Sequence, residues 1–335
     1  MNSIKHSILH YCLITAVLCG AQLQCPLAAE EPTARDKSLN VLFIGNSYTA
    51  RHNLSDVVRQ LAEAGDSSLT FHPTTVIYGG RRLIDHWQMG TQNVVESHSL
   101  TRATVAKTIA DMKAALQKKP DDRNLKAAVK RHESMLKDFD QLQREKWDVV
   151  VLQSYRDDIG DNSLYVQYAP KFAELAKAQG ARVVLYETTP TTQNAQPLAA
   201  APDRGPVVSK TKSIAALANR INAKVAPMAL VGHRCQMQRP DLTLRFVNDG
   251  HLNQTMAYLS ACAIYSALFN KSPEGLTPNT VTDIRFWETD NGNFDRTKDR
   301  DEKPITMTLS DKDRLQLQKI AWDGYLEFES TRLSQ

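Results

Sequence analysis

The sequence predicts an α/β protein, a three-layer α/β/α sandwich around a parallel sheet. Short apolar runs rich in β-branched residues recur at residues 41–44, 69–77, 149–152 and 183–186, with a weaker run at 226–230. Helical periodicities fill most of the gaps, at 54–64, 166–178 and 213–222. Strands alternating with helices imply βαβ crossovers, which place helices on both faces of one sheet. The 335 residues, 42% hydrophobic and 23% charged, are those of an ordinary globular chain long enough to bury a full core.

Taken in order, residues 1–29 read as a signal peptide. Lys5 supplies a positive start, residues 8–21 are mostly apolar, and Pro26-Leu27-Ala28-Ala29 offers small residues for cleavage before Glu30. His10 and Tyr11 interrupt the apolar stretch, which is short for a membrane anchor. The expectation is a secreted or periplasmic protein with no stable membrane span after cleavage. One domain is then expected over residues 38–335.

The run at 41–44 stops at Gly45, Gly45-Asn46 forms a turn, and Ser47 sits where the chain leaves the strand. Leu54, Val57, Val58, Leu61 and Ala62 follow at helical spacing, with Asn53 or Ser55 as cap and Gly65 as stop. Pro73 inside 69–77 makes that strand irregular or places it at an edge. Residues 99–145 are charged and helical, broken at Pro120-Asp121-Asp122. Ile109, Met112 and Leu116 mark an apolar stripe before the break, and Leu125, Val129, Leu136 and Phe139 mark one after it. They predict a helical hairpin inserted in the domain and packed on its side; a lid or partner-binding arm is the alternative. Residues 194–209 read as a loop, 288–304 as a polar stretch, and 311–327 as a closing helix within a C-terminal extension, 272–335.

Composition narrows the function. A net charge of +4 with no basic stripe and interleaved aromatics argues against nucleic acid. No glycine-rich phosphate loop, zinc spacing or calcium loop is present, so neither a metal nor an organic cofactor is expected. Of five cysteines, Cys235 and Cys262 lie beyond the signal segment, and either a bridge or two buried thiols would suit them.

A serine on a strand-to-helix turn stands at the C-terminal rim of a sheet, where α/β folds place their ligands. Its hydroxyl is a poor nucleophile until a base takes the proton. Among nine histidines, His251 stands out, in Phe246-Val247-Asn248-Asp249-Gly250-His251-Leu252-Asn253 just before a helix over 255–268. The alternative is an exposed loop histidine. Of His52, His72, His86 and His233, only His86 has an acidic residue beside it, Asp85.

Gly45-Asn46-Ser47 after a strand, with Asp249-Gly250-His251 before a late helix, resembles the SGNH (GDSL-type) hydrolase superfamily. Residues 79–87 (GGRRLIDHW) look like its second block, and residues 147–154 (WDVVVLQS) resemble the third block of an exported bacterial subgroup that carries glutamine there. The resemblance covers residues 40–268 and implies a flavodoxin-like sheet. Ser47 would then be the nucleophile and His251 the general base. The oxyanion donors would be the Ser47 N–H, the N–H of Gly80 (Gly79 being the less favoured) and the Gln153 side chain.

The family places an aspartate three residues before the histidine, where this chain has Asn248; Asp249 lies two before. Asp249 through a locally shifted turn is the favoured partner of His251, Asn248 is the alternative acid or orienter, and a crippled site is the third reading. The resemblance implies an exported serine esterase cleaving small acyl esters, O-acetyl esters of carbohydrate above all. Arg81 and Arg82 hint at an anionic sugar. The alternatives are a non-catalytic carbohydrate- or envelope-binding protein and a lipase or thioesterase.

Overall fold

In the computed structural model, which describes residues 37–284 and 297–335, five parallel strands form the central sheet. They are β1 (Lys37–Gly45), β2 (Leu69–Ile77), β3 (Val149–Gln153), β4 (Arg182–Tyr186) and β5 (Lys224–Ala226), in the spatial order β2-β1-β3-β4-β5. This is the flavodoxin-like order of a three-layer α/β/α sandwich. β2 is an edge strand, where Pro73 can be accommodated without a central ladder bond. The fifth strand lies earlier than expected: of the run 226–230 only Ala226 belongs to it, because Pro227 leads directly into a helix that takes up 228–230. The expected signal peptide and residues 288–296 of the polar stretch lie outside the described residues.

The helices are α1 (Ser47–Ala50), α2 (Leu54–Gly65), α3 (Leu83–Gln88), α4 (Thr91–Val95), α5 (Arg102–Lys118), α6 (Arg123–Lys137), α7 (Phe139–Leu142), α8 (Leu164–Ala178), α9 (Gly205–Arg220), α10 (Met228–Gln238), α11 (Gln254–Phe269) and α12 (Asp311–Leu333). A small antiparallel pair, β6 (Thr280–Thr282) and β7 (Thr306–Thr308), belongs to the C-terminal extension. Strand alternation decides which core each side chain enters. Leu42, Ile44, Val150, Leu152, Val183 and Leu185 pack on the face covered by α8, α9 and the insert. Val41, Phe43, Val149, Val151, Val184 and Tyr186 pack on the face covered by α2, α11 and α12. Both faces are buried, so the strands read as continuous apolar runs instead of alternating ones.

The insert is the expected hairpin, α5 against α6, with Val105, Ile109, Met112, Leu125 and Val129 in the core. Two local expectations change. The stretch 194–209 is a loop only up to Arg204, because α9 begins at Gly205 with proline in its first turn, where its missing N–H costs no hydrogen bond. Asn53 precedes α2 but makes no side-chain cap bond, since both His52 and Asn53 are left-handed, with φ of 58° and 50°. Cys235 and Cys262 are free and buried; burial pushes the Cys235 thiol up to about 12.

Buried titratable groups make stability depend on pH. Burial lowers His52 and His86 to about 4 and raises Glu187 to about 7. Below pH 6.5 the unfolded chain protonates histidines that the fold keeps neutral, so stability falls as pH drops toward 4. Glu187 has the opposite sign: above 4.5 it ionises in the unfolded chain but stays protonated in the fold until about 7. Between pH 6.5 and 4.5 the two histidines together cost about 4 kcal/mol and Glu187 offsets about 2. Urea denaturation at pH 6.5 and 4.5 should therefore show a net loss of stability on acidification, and Glu187→Gln should make that loss steeper.

Candidate active site

Strand register brings the candidate residues to one rim. Gly45 lies beside Ile77, Ile44 beside Leu152, and Gln153 beside Tyr186, so the turn after β1 sits between those after β2 and β3. Gly45 has no room for a side chain: a Cβ there would stand 2.4 Å from Gln153 Oε1 and 2.5 Å from Thr49 Oγ1. Beyond it, Asn46 caps α1, its Oδ1 accepting the Tyr48 N–H at 3.0 Å while its Nδ2 donates to the Arg81 carbonyl at 3.0 Å. Asn46 thus ties the serine turn to the glycine turn after β2. An asparagine just before Ser47 is the signal for this role, and its type is that of a helix cap.

Gln153 is the main correction among the expected donors. Its buried Oε1 accepts the Asn46 N–H at 3.0 Å, the Thr49 N–H at 3.1 Å and the Thr49 hydroxyl at 2.6 Å. Those donors fix which end of the amide is oxygen. Its Nε2 then donates to Asn46 Oδ1 at 2.7 Å and to the Ser154 carbonyl at 2.9 Å. Both amide hydrogens are engaged, so Gln153 builds the serine turn from below and does not point a donor at a substrate.

Above that base the Ser47 hydroxyl lies 2.8 Å from His251 Nε2, and His251 Nδ1 lies 2.5 Å from Asp249 Oδ1. A carboxylate accepts, so Nδ1 carries the proton and Nε2 faces the serine as acceptor. The histidine loop is closed by an antiparallel bridge between Arg245 and Leu252. It leads into α11 through Asn253, which caps Met256 N–H and anchors on the Thr243 carbonyl. Tyr48 packs its ring 5.4 Å from that of His251 and donates its hydroxyl to the Gly250 carbonyl at 2.9 Å. Asn248 is exposed, while Asp249 is the residue bonded to the ring.

Burial alone would raise the Asp249 carboxyl, but the His251 hydrogen bond and the Arg51 and Arg300 charges hold it well below the ordinary carboxylate range. Arg51 Nη2 lies 3.1 Å and Arg300 Nε 3.0 Å from Asp249 Oδ2. The sequence reading missed both arginines. Arg51 is four residues after the serine, and Arg300 lies in a polar stretch 49 residues beyond the histidine, without a motif to connect them.

The glycine turn keeps one donor in reserve. Tyr78 to Arg81 form a turn closed by Arg81 N–H to the Tyr78 carbonyl at 3.1 Å, with Gly80 at φ +65°, a conformation that favours glycine. Asn124, at the start of α6, accepts the Gly79 N–H and donates to the Gly79 carbonyl, each at 3.0 Å. Gly79 is thereby spoken for, and Gly80 is the turn's remaining N–H. Arg81 pairs with Asp122 at 2.7 Å, so it braces the hairpin tip. Arg82 instead lines an open cleft of about 550 Å³ with Tyr155, Arg156 and Pro190, between the loops after β2, β3 and β4. His86 is buried; its Nε2 donates to the Gly45 carbonyl at 3.0 Å, a support for the same turn.

No protein-family model and no curated protein matches the chain. Among solved structures it is similar to a DUF4886 family protein from Bacteroides uniformis ATCC 8492, at 15% identity over 87% of this chain and 95% of that one, with a TM-score of 0.48. At that level the likeness says nothing of chemistry.

The packing beneath Ser47 leaves no slack. Gly45→Ala should destabilise the protein by about 2 kcal/mol or more through overpacking. Gln153→Leu should cost about 2–4 kcal/mol by stranding buried donors. Both losses are read from urea midpoints.

Proposed function

We propose that this chain is an exported serine esterase of the SGNH type that removes small acyl groups, O-acetyl above all, from carbohydrate. One observation carries the reading: the Ser47 hydroxyl, the His251 imidazole and the Asp249 carboxylate form one hydrogen-bonded line at the rim of the sheet. His251 Nε2 takes the Ser47 proton as Oγ attacks the ester carbonyl. The resulting oxyanion is received by the N–H groups of Ser47 and Gly80, with Gln153 in a supporting role beneath. His251 then gives the proton to the departing sugar oxygen, leaving an acyl-Ser47 ester. Water, deprotonated by the same imidazole, releases the acid and regenerates the serine.

Asp249 works by holding the Nδ1–H tautomer and by facing the imidazolium with a negative charge. The cleft between the loops after β2, β3 and β4 suits a sugar: Tyr155 stands on its wall, and Arg82 and Arg156 share the lining with Asp157 and Asp158, a mixed set of donors and acceptors for hydroxyls. Export is proposed from residues 1–29, and among the described residues no helix is long and apolar enough to cross a membrane.

The purified mature protein should hydrolyse a short acyl ester such as 4-nitrophenyl acetate, and Ser47→Ala should abolish that activity. If wild type and Ser47→Ala are equally inert on that ester and on acetylated glycans, the esterase reading falls and a binding protein takes its place. Asp249→Ala should lower kcat by about a thousandfold or more, whereas Asn248→Ala should leave it nearly unchanged; the reverse pattern would assign Asn248. Asn124→Ala, which frees the glycine turn, should lower kcat by roughly tenfold with KM little changed, as expected for a misplaced donor.

A further inference from the structure

We infer that Arg51 and Arg300 are positioning residues, whose guanidinium groups hold the Asp249 carboxylate against His251 and so make a shortened acid–base turn workable. Only the kinetic part of this inference rests on the esterase reading.

Asp249 is two residues before His251, and its Oδ1 must serve both the His251 N–H at 3.1 Å and the ring Nδ1 at 2.5 Å. With one oxygen shared in that way, the other is turned back into the protein. There it meets Arg51 Nη2 at 3.1 Å and Arg300 Nε at 3.0 Å. A free carboxylate can rotate about its side-chain torsions; one that accepts the Arg51 hydrogen bond on its far oxygen, with the Arg300 guanidinium at ion-pair distance from the same atom, is restrained.

Arg51 is itself held from behind. Its side chain is 6% exposed, and its Nη1 faces Asp283 Oδ1 at 3.8 Å. Asp283 is fully buried and also faces His52 Nδ1 at 3.7 Å, while His52 Nε2 donates to the Leu252 carbonyl at 2.8 Å. A buried guanidinium is costly unless paired, and here Asp249 and Asp283 lie on its two sides. The left-handed backbone of His52 and Asn53 turns the chain directly after Arg51, between the serine turn and α2.

The support comes from two distant parts of the chain. Arg51 belongs to the serine turn, whereas Asp283 and Arg300 come from the C-terminal extension. The same extension braces the acid loop at a third point, where the Asp301 carboxylate accepts the Val247 N–H at 2.9 and 3.0 Å. Through these contacts the extension belongs to the candidate site, although none of its described residues adds a strand to the main sheet.

The test compares Arg51→Leu, Arg51→Lys and Arg300→Gln, with folding checked by circular dichroism. Proton NMR should show a downfield, slowly exchanging His251 Nδ1–H resonance in the wild type. Arg51→Leu and Arg300→Gln should broaden or abolish it, and Arg51→Lys should restore it in part. On a short acyl ester the same two losses should lower kcat by roughly tenfold to a hundredfold with KM within about twofold. In an Asp249→Ala background they should change kcat by less than about twofold, because a residue that acts through Asp249 has nothing left to act on.

If the variants fold and keep the wild-type resonance, or if their kinetic effects add fully to that of Asp249→Ala, the inference is overturned. Should Arg51→Leu fail to fold, Arg300→Gln decides, since that arginine is more exposed, at 21%. If the resonance responds as expected while the wild type cleaves no ester, the positioning role stands and the esterase reading falls.

Discussion

The candidate site depends on one buried amide. Gln153, the last residue of β3, accepts hydrogen bonds from Asn46 and Thr49 on either side of Ser47, and it can do so because Gly45 has no side chain to block it. Two neighbouring strands are thereby joined through the serine turn at their C-terminal ends. The amide is worth more than a surface hydrogen bond would be, since each group it serves is buried and would otherwise be stranded. Asn46 extends the same network sideways to the Arg81 carbonyl, so the serine turn and the glycine turn move as one piece. The hairpin insert adds a further brace at Gly79 through Asn124.

Electrostatics on the other side of the imidazole run in a consistent direction. Asp249 stays ionised because two guanidiniums and an imidazole N–H outweigh the cost of partial burial. A carboxylate with so little affinity for a proton accepts the Nδ1–H hydrogen bond and fixes the ring's orientation. His52 and His86, by contrast, are wholly buried beside carbonyl acceptors and remain neutral. Three histidines around one turn therefore differ in role because they differ in solvent access and in partners: two hold carbonyls, and one faces a serine.

Much of the fold could be read from the chain because local physics and tertiary packing agree there. The apolar runs that became β1, β3 and β4 are continuous, as strands buried on both faces must be, and Pro73 marked β2 as the edge. The hairpin insert could be read from its two stripes and the proline between them. Departures came where the local signal was ambiguous. Gly205-Pro206 looked like loop but begins α9, and Asn53 looked like a cap but has a left-handed backbone that carries no cap bond. Gln153 was expected, from the family resemblance, to offer its amide to an oxyanion, yet its hydrogens turn inward to Asn46 and Ser154.

By itself the sequence determined the order of the first four strands and of the longer helices between and after them, the serine at the end of the first strand, and the histidine just before a late helix. Those features are written in periodicity, turn residues and spacing, which act over a few positions. Only the tertiary structure decided what stands around them. It brings Ser47 within 2.8 Å of His251 across 204 positions, and sets Asp249 in place of Asn248 against the ring. It also carries Arg300 from the far end of the chain to the back of that carboxylate. Contacts of such range depend on how whole layers pack and on where a side chain finds its charge compensated, and neither quantity is present in any local window of residues.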